Sequence, residues 1–191
     1  MAPQADRRDS GLARLTVNEA AYVAGVSVKT ANQTIDRRQI RARRPRRPTG
    51  RQTRGMGIGD VVYLRIQHVL APEIRAKFYR ALQGKSLADL PRSLEAGDVI
   101  IDLSRAIEEV ARRLDSLIRI RTRVELDPAV RGGEPVFRDT RVPVYTIARK
   151  LELGSTAEEL LEDYPRLAET DLETASLYAH LYPRQGRPPT E

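Results

Sequence analysis

The sequence predicts a mainly α-helical protein with small β elements. Three observations support this fold class: capped helix starts recur along the chain, an apolar stripe with helical spacing lies near its middle, and glycine and proline clusters restrict extended structure to short pieces. A chain of 191 residues can form one large domain or two small ones. Aromatic residues make up only 5% and Trp is absent, so the core must consist mostly of Leu, Ile, Val and Ala.

Charge is distributed unevenly along the chain, whose formal net charge is +7. Residues 1–59 carry 13 basic and 4 acidic side chains, whereas residues 132–182 carry 5 basic and 10 acidic ones. A basic N-terminal third joined to an acidic C-terminal third indicates two modules with different partners. We expect a polyanion for the first and a protein for the second.

The predicted elements begin with two short helices joined by a tight turn. Thr16 is a good N-cap and Glu19 completes a capping box. Gly25 supplies the positive φ that ends the first helix, and Ser27 caps a second helix that runs to roughly Arg38. This order is typical of a helix-turn-helix, although ordinary helical hairpins share it.

An arginine-rich stretch follows the helix pair. No acidic residue occurs between Asp36 and Asp60, and prolines and glycines in this stretch exclude a long helix. We expect short extended pieces at Gln39–Arg43 and Met56–Ile58 to flank the loop as a β-wing. Arginines at this density repel one another without a polyanion, and nucleic-acid phosphates fit their forked geometry. A solvated loop with no ligand is the alternative.

Double-stranded DNA is therefore the predicted partner of residues 12–70. RNA is disfavoured, because no exposed aromatic platform accompanies the basic residues. Polar side chains of the second helix are expected in the major groove, and the arginines on phosphates or in the minor groove. The predicted DNA-binding residues are Ser27, Lys29, Thr30, Asn32, Gln33, Arg37, Arg38, Arg41, Arg43, Arg44, Arg46, Arg47, Arg51 and Arg54.

A set of capping, small and apolar residues carries a resemblance in the same segment: Thr16, Glu19–Ala21, Ala24–Ser27, Thr30, Ile35, Ile40 and Asp60–Leu64. Together with the basic wing, these residues resemble the winged-helix DNA-binding domain of the MerR type. The wing is longer and richer in arginine than in that family, so the resemblance implies the fold but no individual base contacts.

Residues 71–123 are predicted to be a helical linker. Before them, Asp60 is expected to cap a helix over Val61–Leu70, in which His68 is a partly buried packing residue. Pro72 suits the first turn of the next helix, and Val99–Leu103 reads as a short strand after turn-rich residues 84–97. A heptad-like stripe then comprises Leu103, Ile107, Val110, Leu114 and Leu117. It packs within the monomer or forms a dimer seam through Ile107, Val110, Leu114 and Leu117.

Residues 124–182 are predicted to form a three-helix domain with a β-arm, followed by a flexible tail over residues 183–191. Glycine pairs and prolines between β-branched residues indicate the arm, which resembles a compact hairpin or arch. The three helices are expected at Tyr145–Leu153, Thr156–Asp163 and Asp171–Tyr182. Two capping boxes are predicted, Ser155 with Glu158 and Thr170 with Glu173.

The order of motifs in this domain is distinctive: Gly132-Gly133-Glu134-Pro135-Val136-Phe137, then Arg138-Asp139-Thr140-Arg141-Val142-Pro143-Val144, then Asp163-Tyr164-Pro165. Residues 124–182 thereby resemble the domain-of-unknown-function family 433, and the layout with an N-terminal winged helix is similar to VapB-type antitoxins. Asp139 stands where the family often has Gly, which leaves the geometry of that turn open.

This resemblance implies the antitoxin of a type II toxin–antitoxin pair. Its expected partners are operator DNA, which it binds to repress its own operon, and a cognate PIN-like ribonuclease toxin, with assembly as a homodimer or a hetero-oligomer with the toxin. Two modes of toxin binding stay open. In one, Arg184 and Arg187 of the tail enter the acidic metal site of the nuclease; in the other, the arm docks elsewhere. The arm residues concerned are Val136, Phe137, Arg141 and Val144.

Several classes of function are disfavoured by what the sequence lacks. Without Cys there are no disulfides or thiolate metal sites, and His68 and His180 are far apart, so no metal or cofactor is expected. No base accompanies a nucleophilic Ser, so an enzyme is not expected. The polar start and the lack of a long apolar run predict a cytoplasmic protein without membrane contact. The main rival is a stand-alone MerR-like regulator that senses a ligand through its C-terminal part.

Overall fold

A computed structural model of the chain describes residues 14–40, 55–126 and 133–184. The chain divides into two compact units, unit 1 over residues 1–115 and unit 2 over residues 116–191. The described ranges are mainly helical with short antiparallel strand pairs, so the predicted coarse fold class is confirmed. In these ranges no helix is both long enough and apolar enough to cross a membrane.

Unit 1 begins with helix α1, Val17–Ala24, whose start has the predicted capping box. The Thr16 hydroxyl accepts from the Glu19 N–H at 3.3 Å, and the Glu19 carboxylate accepts from the Thr16 N–H at 2.7 Å. Gly25 ends α1 with φ +71°, a left-handed conformation that glycine adopts at little cost. Reciprocal caps at one end and a glycine at the other fix the length of α1.

Helix α2, Val28–Asp36, follows the turn. The Ser27 hydroxyl accepts from the Thr30 N–H at 3.0 Å, which confirms the predicted N-cap. The helix ends at Asp36, slightly before the predicted Arg38, because Arg38 itself adopts φ +56° and cannot continue a right-handed helix.

The predicted β-wing strands are wrong in their described parts. Met56 forms an isolated antiparallel bridge with Leu15, and Ile58 begins helix α3, Ile58–Ile66. No strand includes Gln39 or Ile40, while residues 41–43 lie outside the described ranges. The glycines in this segment led to the prediction of extended structure. The apolar run that follows them is buried, and it favours a helix.

Asp60 is not the N-cap of α3 but its third residue. Gly57 occupies the cap position, and the Asp60 carboxylate reaches back to accept the Gly57 N–H at 2.9 Å. After α3 the chain tightens to a 3₁₀ turn at Gln67–Val69. Each residue of a 3₁₀ turn rotates further around the axis than a residue of an α-helix does. His68 is therefore exposed, whereas it was predicted to be partly buried.

Helix α4, Pro72–Leu82, packs on α3 with Pro72 in its first turn, as predicted. The two helices approach so closely at Gly59 that a Cβ there would lie 1.8 Å from the Leu82 carbonyl oxygen. The Tyr79 hydroxyl donates to the Asp60 carboxylate at 3.0 Å across the same contact. Phe78 is fully buried beside it.

A β-hairpin follows α4. Strand β1, Ser93–Ala96, pairs antiparallel with strand β2, Val99–Asp102, in a register that opposes Ala96 and Val99. Gly97 turns the hairpin at φ +62°. The strand at Val99 was predicted, whereas its partner lies in a segment for which only turns were predicted.

Helix α5, Ser104–Arg123, carries the heptad-like stripe and continues across the division between the two units. All five stripe residues are buried, with exposures between 0% and 7%: Leu103, Ile107, Val110, Leu114 and Leu117. The chain's own residues cover them, as packing within the monomer requires. In this conformation Ile107, Val110, Leu114 and Leu117 are therefore not accessible for the predicted dimer seam.

The described residues of unit 2 after the end of α5 form a short antiparallel strand pair and three helices, as predicted. Strand β3, Val124–Glu125, pairs with β4, Val136–Phe137. The helices are α6, Val144–Glu152, α7, Ala157–Asp163, and α8, Glu169–Leu181. Of these, α6 and α8 form the main packing contact of the unit.

Both predicted capping boxes of unit 2 are wrong in detail. The cap of α7 is one residue further along, where the Thr156 hydroxyl accepts from the Glu159 N–H at 3.2 Å. Helix α8 begins earlier than predicted because the Asp171 carboxylate accepts from the Ala168 N–H at 2.9 Å. A carboxylate thus satisfies the first turn of α8, where a hydroxyl was expected.

The turn at Asp139 has the geometry that a glycine would adopt without strain. Asp139 has φ +61°, one of two positive φ values at non-glycine residues in the described ranges. Thr140 fixes the turn, since its hydroxyl donates to the Phe137 carbonyl at 2.7 Å and accepts from the Val142 N–H at 3.2 Å. Aspartate tolerates this conformation better than most residues do.

Arg123, the last residue of α5, joins three segments of unit 2. Its guanidinium donates to both oxygens of the buried Asp171 carboxylate, at 2.7 and 2.9 Å. A third bond of 2.8 Å goes to the Arg138 carbonyl in the turn after β4. The end of α5, the β4 turn and the start of α8 are therefore connected by one side chain.

Candidate nucleic-acid and partner surfaces

Helix α2 separates its residues into a buried side and an exposed polar side. Ala31, Thr34 and Ile35 are buried, at spacings that place them on one side of the helix. Lys29, Asn32 and Gln33, all predicted DNA contacts, are exposed. The structure therefore brings an ammonium group and two amides together on a surface that has no packing role.

The remaining predicted DNA contacts fall into three groups. Arg37 and Arg38 are exposed directly after α2. Ser27 and Thr30 are engaged in the helix cap, with their hydroxyl oxygens 2.9 Å apart, so neither hydroxyl is fully available for a base. The wing arginines lie outside the described residues: Arg41, Arg43, Arg44, Arg46, Arg47, Arg51 and Arg54.

Two arginines that were not predicted hold the C-terminal end of α1. Arg113 donates to the Tyr22 carbonyl at 2.8 Å, and Arg65 donates to the Ala24 carbonyl at 3.0 Å. Arg65 also forms an ion pair with Glu109. Basic groups at the last carbonyls of a helix complement its dipole. Because Arg113 and Tyr22 are far apart in sequence, no local pattern could have indicated this contact.

Glu109 is the acidic centre of this contact network. A hydrogen bond from Arg105, at 3.2 Å, has the largest effect in lowering the pKa of Glu109, and the charges of Arg65 and Arg113 add to it. The carboxylate is therefore ionised at neutral pH and neutralises part of the basic charge behind α1. These contacts therefore stabilise the C-terminal end of α1 in the absence of DNA.

The predicted toxin-binding residues of the arm are mostly inaccessible. Val136, Phe137 and Val144 are 0% exposed and belong to the hydrophobic core. They are therefore wrong as candidates for a surface contact. Arg141 is exposed and is the only one of the four in a position to meet a partner.

Arg184 is bound to unit 2 and does not project as a free cation. Its guanidinium forms an ion pair with Glu134 and lies 4.6 Å from the centroid of the Tyr145 ring. The Tyr145 hydroxyl in turn donates to the Tyr182 carbonyl at 2.5 Å. Arg187, the other predicted cation of the tail, lies outside the described residues.

The surface of unit 2 is acidic around α7. Four carboxylates of this helix are exposed: Glu158, Glu159, Glu162 and Asp163. Glu159 is used in the cap, and Asp163 pairs with Lys150 at 2.8 Å. Within the described ranges, Glu158 and Glu162 have no hydrogen-bond or ion-pair partner. They are spaced one helical turn apart and leave uncompensated negative charge on the surface.

Comparison with known proteins places this arrangement in a family. Residues 124–179 match the family described as "Protein of unknown function (DUF433)". Over 184 residues the chain is 30% identical to "Uncharacterized protein y4eO" of Sinorhizobium fredii (strain NBRC 101917 / NGR234), a match that covers 91% of this chain and 83% of that protein. The chain belongs to the same family as y4eO and carries a DUF433 domain at its C-terminal end.

A solved structure is similar at a lower level. The X-ray crystal structure of Rv2018 from Mycobacterium tuberculosis is 16% identical, covers 85% of this chain and 96% of its own, and has a TM-score of 0.37. A likeness at this TM-score supports no conclusion about the fold or function of the chain.

Proposed function

We propose that this protein is the antitoxin of a type II toxin–antitoxin pair, which neutralises a PIN-like ribonuclease through unit 2 and represses its own operon through unit 1. The observation that carries the DNA-binding part is the exposed side of α2. Lys29, Asn32 and Gln33 provide the donors and acceptors that read base edges in a major groove. Arg37 and Arg38 follow them and supply phosphate contacts.

The arrangement of α1 and α2 supports a helix-turn-helix, with α2 as the recognition helix. Helix α1 is capped at both ends and held by Arg65 and Arg113, which leaves α2 as the exposed member of the pair. A rigid first helix that positions an exposed second helix is the geometry such domains use.

The DNA-binding part is tested with the full chain and the DNA upstream of its own gene. Fluorescence anisotropy would be measured from about 50 to 200 mM salt. Asn32→Ala should weaken binding to that DNA by about 1–3 kcal/mol and leave binding to a scrambled duplex unchanged. Arg38→Gln should weaken both and reduce the slope of log K against log salt by about 0.9.

The matched control is Lys85→Gln, which removes one exposed positive charge elsewhere in unit 1. A smaller effect of this variant on the salt slope is expected than of Arg38→Gln. If Asn32→Ala weakened both duplexes equally, or if Arg38→Gln and Lys85→Gln were indistinguishable, α2 would not be the recognition helix.

The antitoxin part rests on the resemblance of residues 124–182 to VapB-associated family members and on the acidic surface at α7. A ribonuclease must present cationic groups to its RNA substrate, and Glu158 and Glu162 are complementary to such a surface. Binding through these carboxylates would cover the RNA path without inserting a cation into the nuclease metal site.

Co-expression with the product of the adjacent gene tests this part, with growth and co-purification as readouts. Glu158→Gln/Glu162→Gln should slow association and reduce rescue of growth, whereas Glu95→Gln/Asp98→Asn, the same charge change in the β1–β2 hairpin, should not. If the wild-type chain neither bound the product of the adjacent gene nor rescued growth, the antitoxin hypothesis would be refuted and the DNA-binding hypothesis would not be affected. If the two variants behaved equally, only the role of the acidic surface would be refuted.

A further inference from the structure

A groove with a volume of about 610 Å³ lies in unit 1 beside the end of α2. Tyr63 and Tyr79 line it but are only 1% and 8% exposed, so their rings form its floor and offer no open face to a ligand. Three arginines also line it, Arg38 from the residues after α2 and Arg75 and Arg80 from α4. The groove therefore combines a poorly solvated floor with positive charge.

Arg38 has a backbone conformation that glycine normally adopts. Its φ is +56°, its N–H donates to the Ile35 carbonyl at 2.9 Å, and the Gln39 N–H donates to the Thr34 carbonyl at 3.1 Å. These two bonds form the Schellman motif, in which Gly is usual at the position that Arg38 occupies. Such strain at a non-glycine residue occurs most often at functional sites. The presence of arginine where glycine would fit without strain indicates a role for its guanidinium.

The two arginines of α4 are each anchored at one nitrogen. Arg75 donates through Nε to the Leu70 carbonyl at 3.0 Å, and Arg80 donates through Nε to the Ala76 carbonyl at 3.2 Å. Each anchor restrains the side chain and leaves the terminal Nη atoms for another acceptor. Part of the side-chain entropy at these two positions is thus lost before any ligand binds.

No carboxylate lines the groove among the described residues. Within the same ranges, no ion pair involves Arg38, Arg75 or Arg80, although ion pairs engage arginines elsewhere in the molecule. Guanidinium groups around a concavity with a poorly solvated floor concentrate the positive potential inside it. Their forked geometry matches the oxygens of a phosphate. With α2 in a major groove, the phosphates nearest to Arg38 are those of the DNA backbone that borders this groove.

We propose that the groove holds one backbone phosphate of the operator, which Arg38 at the end of α2 binds jointly with Arg75 and Arg80 of α4. This inference rests on the proposed DNA binding and adds α4 to it as a second helix that contacts DNA. A phosphate contact carries no sequence information, but it fixes the register and orientation of a recognition helix. Arg75 and Arg80 are therefore positioning residues for the reading of bases by Asn32.

The experiment uses the full chain and the DNA upstream of its own gene. Single phosphates of this duplex would be replaced in turn by uncharged methylphosphonates, and binding would be measured by fluorescence anisotropy at about 50 mM salt. Neutralisation of the phosphate in the groove should weaken binding of the wild type by about tenfold. The same replacement should have little effect on Arg80→Gln, because this variant has already lost the contact.

Variants test whether the arginines share one phosphate. Arg38→Gln and Arg80→Gln should each weaken binding by about tenfold, and the double variant should also lose about tenfold rather than about a hundredfold. Both should weaken the operator and a scrambled duplex alike. Lys77→Gln is the matched control, because Lys77 is exposed on the same helix and does not line the groove; it should bind as the wild type does.

The variant Arg38→Gly separates a functional role from a structural one. It removes the guanidinium and relieves the strain at φ +56°. The melting temperature should therefore not fall, while binding to DNA should weaken by about tenfold. A lower melting temperature with unchanged binding would show that Arg38 serves only the fold, and would overturn the proposal.

Three further outcomes would overturn it. The first is that no single methylphosphonate distinguishes the wild type from Arg80→Gln. The second is that the losses in Arg38→Gln and Arg80→Gln add, which would place the two arginines on different phosphates. The third is that Arg80→Gln and Lys77→Gln bind equally. Operator binding that depends on Asn32 but not on Arg80 would refute this inference alone, whereas a wild-type chain that binds no DNA would refute the proposed DNA binding as well.

Discussion

Replacement of Asp171 by Asn should lower the free energy of unfolding of unit 2. The loss should be larger than for the same replacement of a carboxyl group by an amide at any other described residue of the unit. Asp171 is 4% exposed and accepts two hydrogen bonds from Arg123 and one from the Ala168 N–H. Asparagine is nearly isosteric and retains one oxygen for Ala168. The substitution therefore removes the charge and the bidentate pairing while it preserves the shape of the site.

The size of the effect follows from the exposure of the two partners. Removal of one member of a fully buried ion pair costs about 3–5 kcal/mol, because the other charge is left unpaired in the interior. The Arg123 side chain is 30% exposed, so water can partly solvate the charge that is left. We therefore expect a loss of about 2–3 kcal/mol in the free energy of unfolding of unit 2.

The same pair makes the stability of unit 2 dependent on pH. Burial opposes ionisation of Asp171, but the hydrogen bonds from Arg123 and Ala168 and the charge of Arg123 outweigh it and hold the pKa of Asp171 below its ordinary value of 3.8. The stabilisation is complete above that ordinary value and is lost as the pH falls from it towards the lower pKa of the folded state. Asp171→Asn should remove this loss below about pH 4.

Hydrogen–deuterium exchange with mass spectrometry measures the effect for each unit separately. Peptides from α6 and α8 should exchange about 30- to 150-fold faster in Asp171→Asn, since each 1.36 kcal/mol corresponds to about tenfold. Peptides from α3 serve as the internal reference. Glu152→Gln is the matched control, because Glu152 pairs with Arg149 at 3.1 Å on the surface and its loss should cost less than about 0.5 kcal/mol.

A double-mutant cycle with Arg123→Met tests the coupling itself. The two changes should interact by about 1.5 kcal/mol or more, because each removes the partner of the other. If the costs of Asp171→Asn and Arg123→Met were additive within about 0.5 kcal/mol, the bidentate pair would not be the source of the stability. An effect of Asp171→Asn as small as that of Glu152→Gln would refute the estimate directly.

Further substitutions probe the backbone positions. Gly59→Ala should lower the stability of unit 1 by about 3 kcal/mol, because the new Cβ meets the Leu82 carbonyl at 1.8 Å, and Gly57→Ala should cost less than about 1 kcal/mol; thermal unfolding with similar losses for both would contradict this. Asp139→Gly should leave stability nearly unchanged, whereas Asp139→Val should lower it by about 1–2 kcal/mol at φ +61°, as urea unfolding would measure. Thr156→Ala should cost about 1 kcal/mol in the same assay, and no loss would mean that the cap of α7 is dispensable.

The ends of a helix can be predicted from the sequence where the local pattern of capping residues is compatible with only one position for each end. Thr16 with Glu19 and Gly25 define both ends of α1, since no neighbouring residue can replace them in those roles. At α7 the pattern has two solutions, because Ser155 and Thr156 both carry hydroxyls and Glu158 and Glu159 both follow at the required spacing. Packing of the helix decides between the two, and a local rule cannot.

The predicted sites show the same distinction. Lys29, Asn32 and Gln33 were expected on the exposed side of α2, and helical periodicity alone places them there once Ala31 and Ile35 are buried. The arm was expected to present Val136 to a partner, but short apolar segments look alike whether they cover a partner or their own core. The contacts of Arg65 and Arg113 with the end of α1 were not predicted, because only tertiary structure brings these residues together.

The unbroken course of α5 constrains the length of the chain as well as its composition. The division between the units falls after Asp115, within continuous helix. One inserted residue at this point would rotate Leu117 and Ile120 by about 100° around the helix axis relative to Val110 and Leu114, and would interrupt the apolar stripe of α5. Seven inserted residues would change the phase by only about 20°. The stripe should therefore stay continuous only when the length of this helix varies by whole heptads.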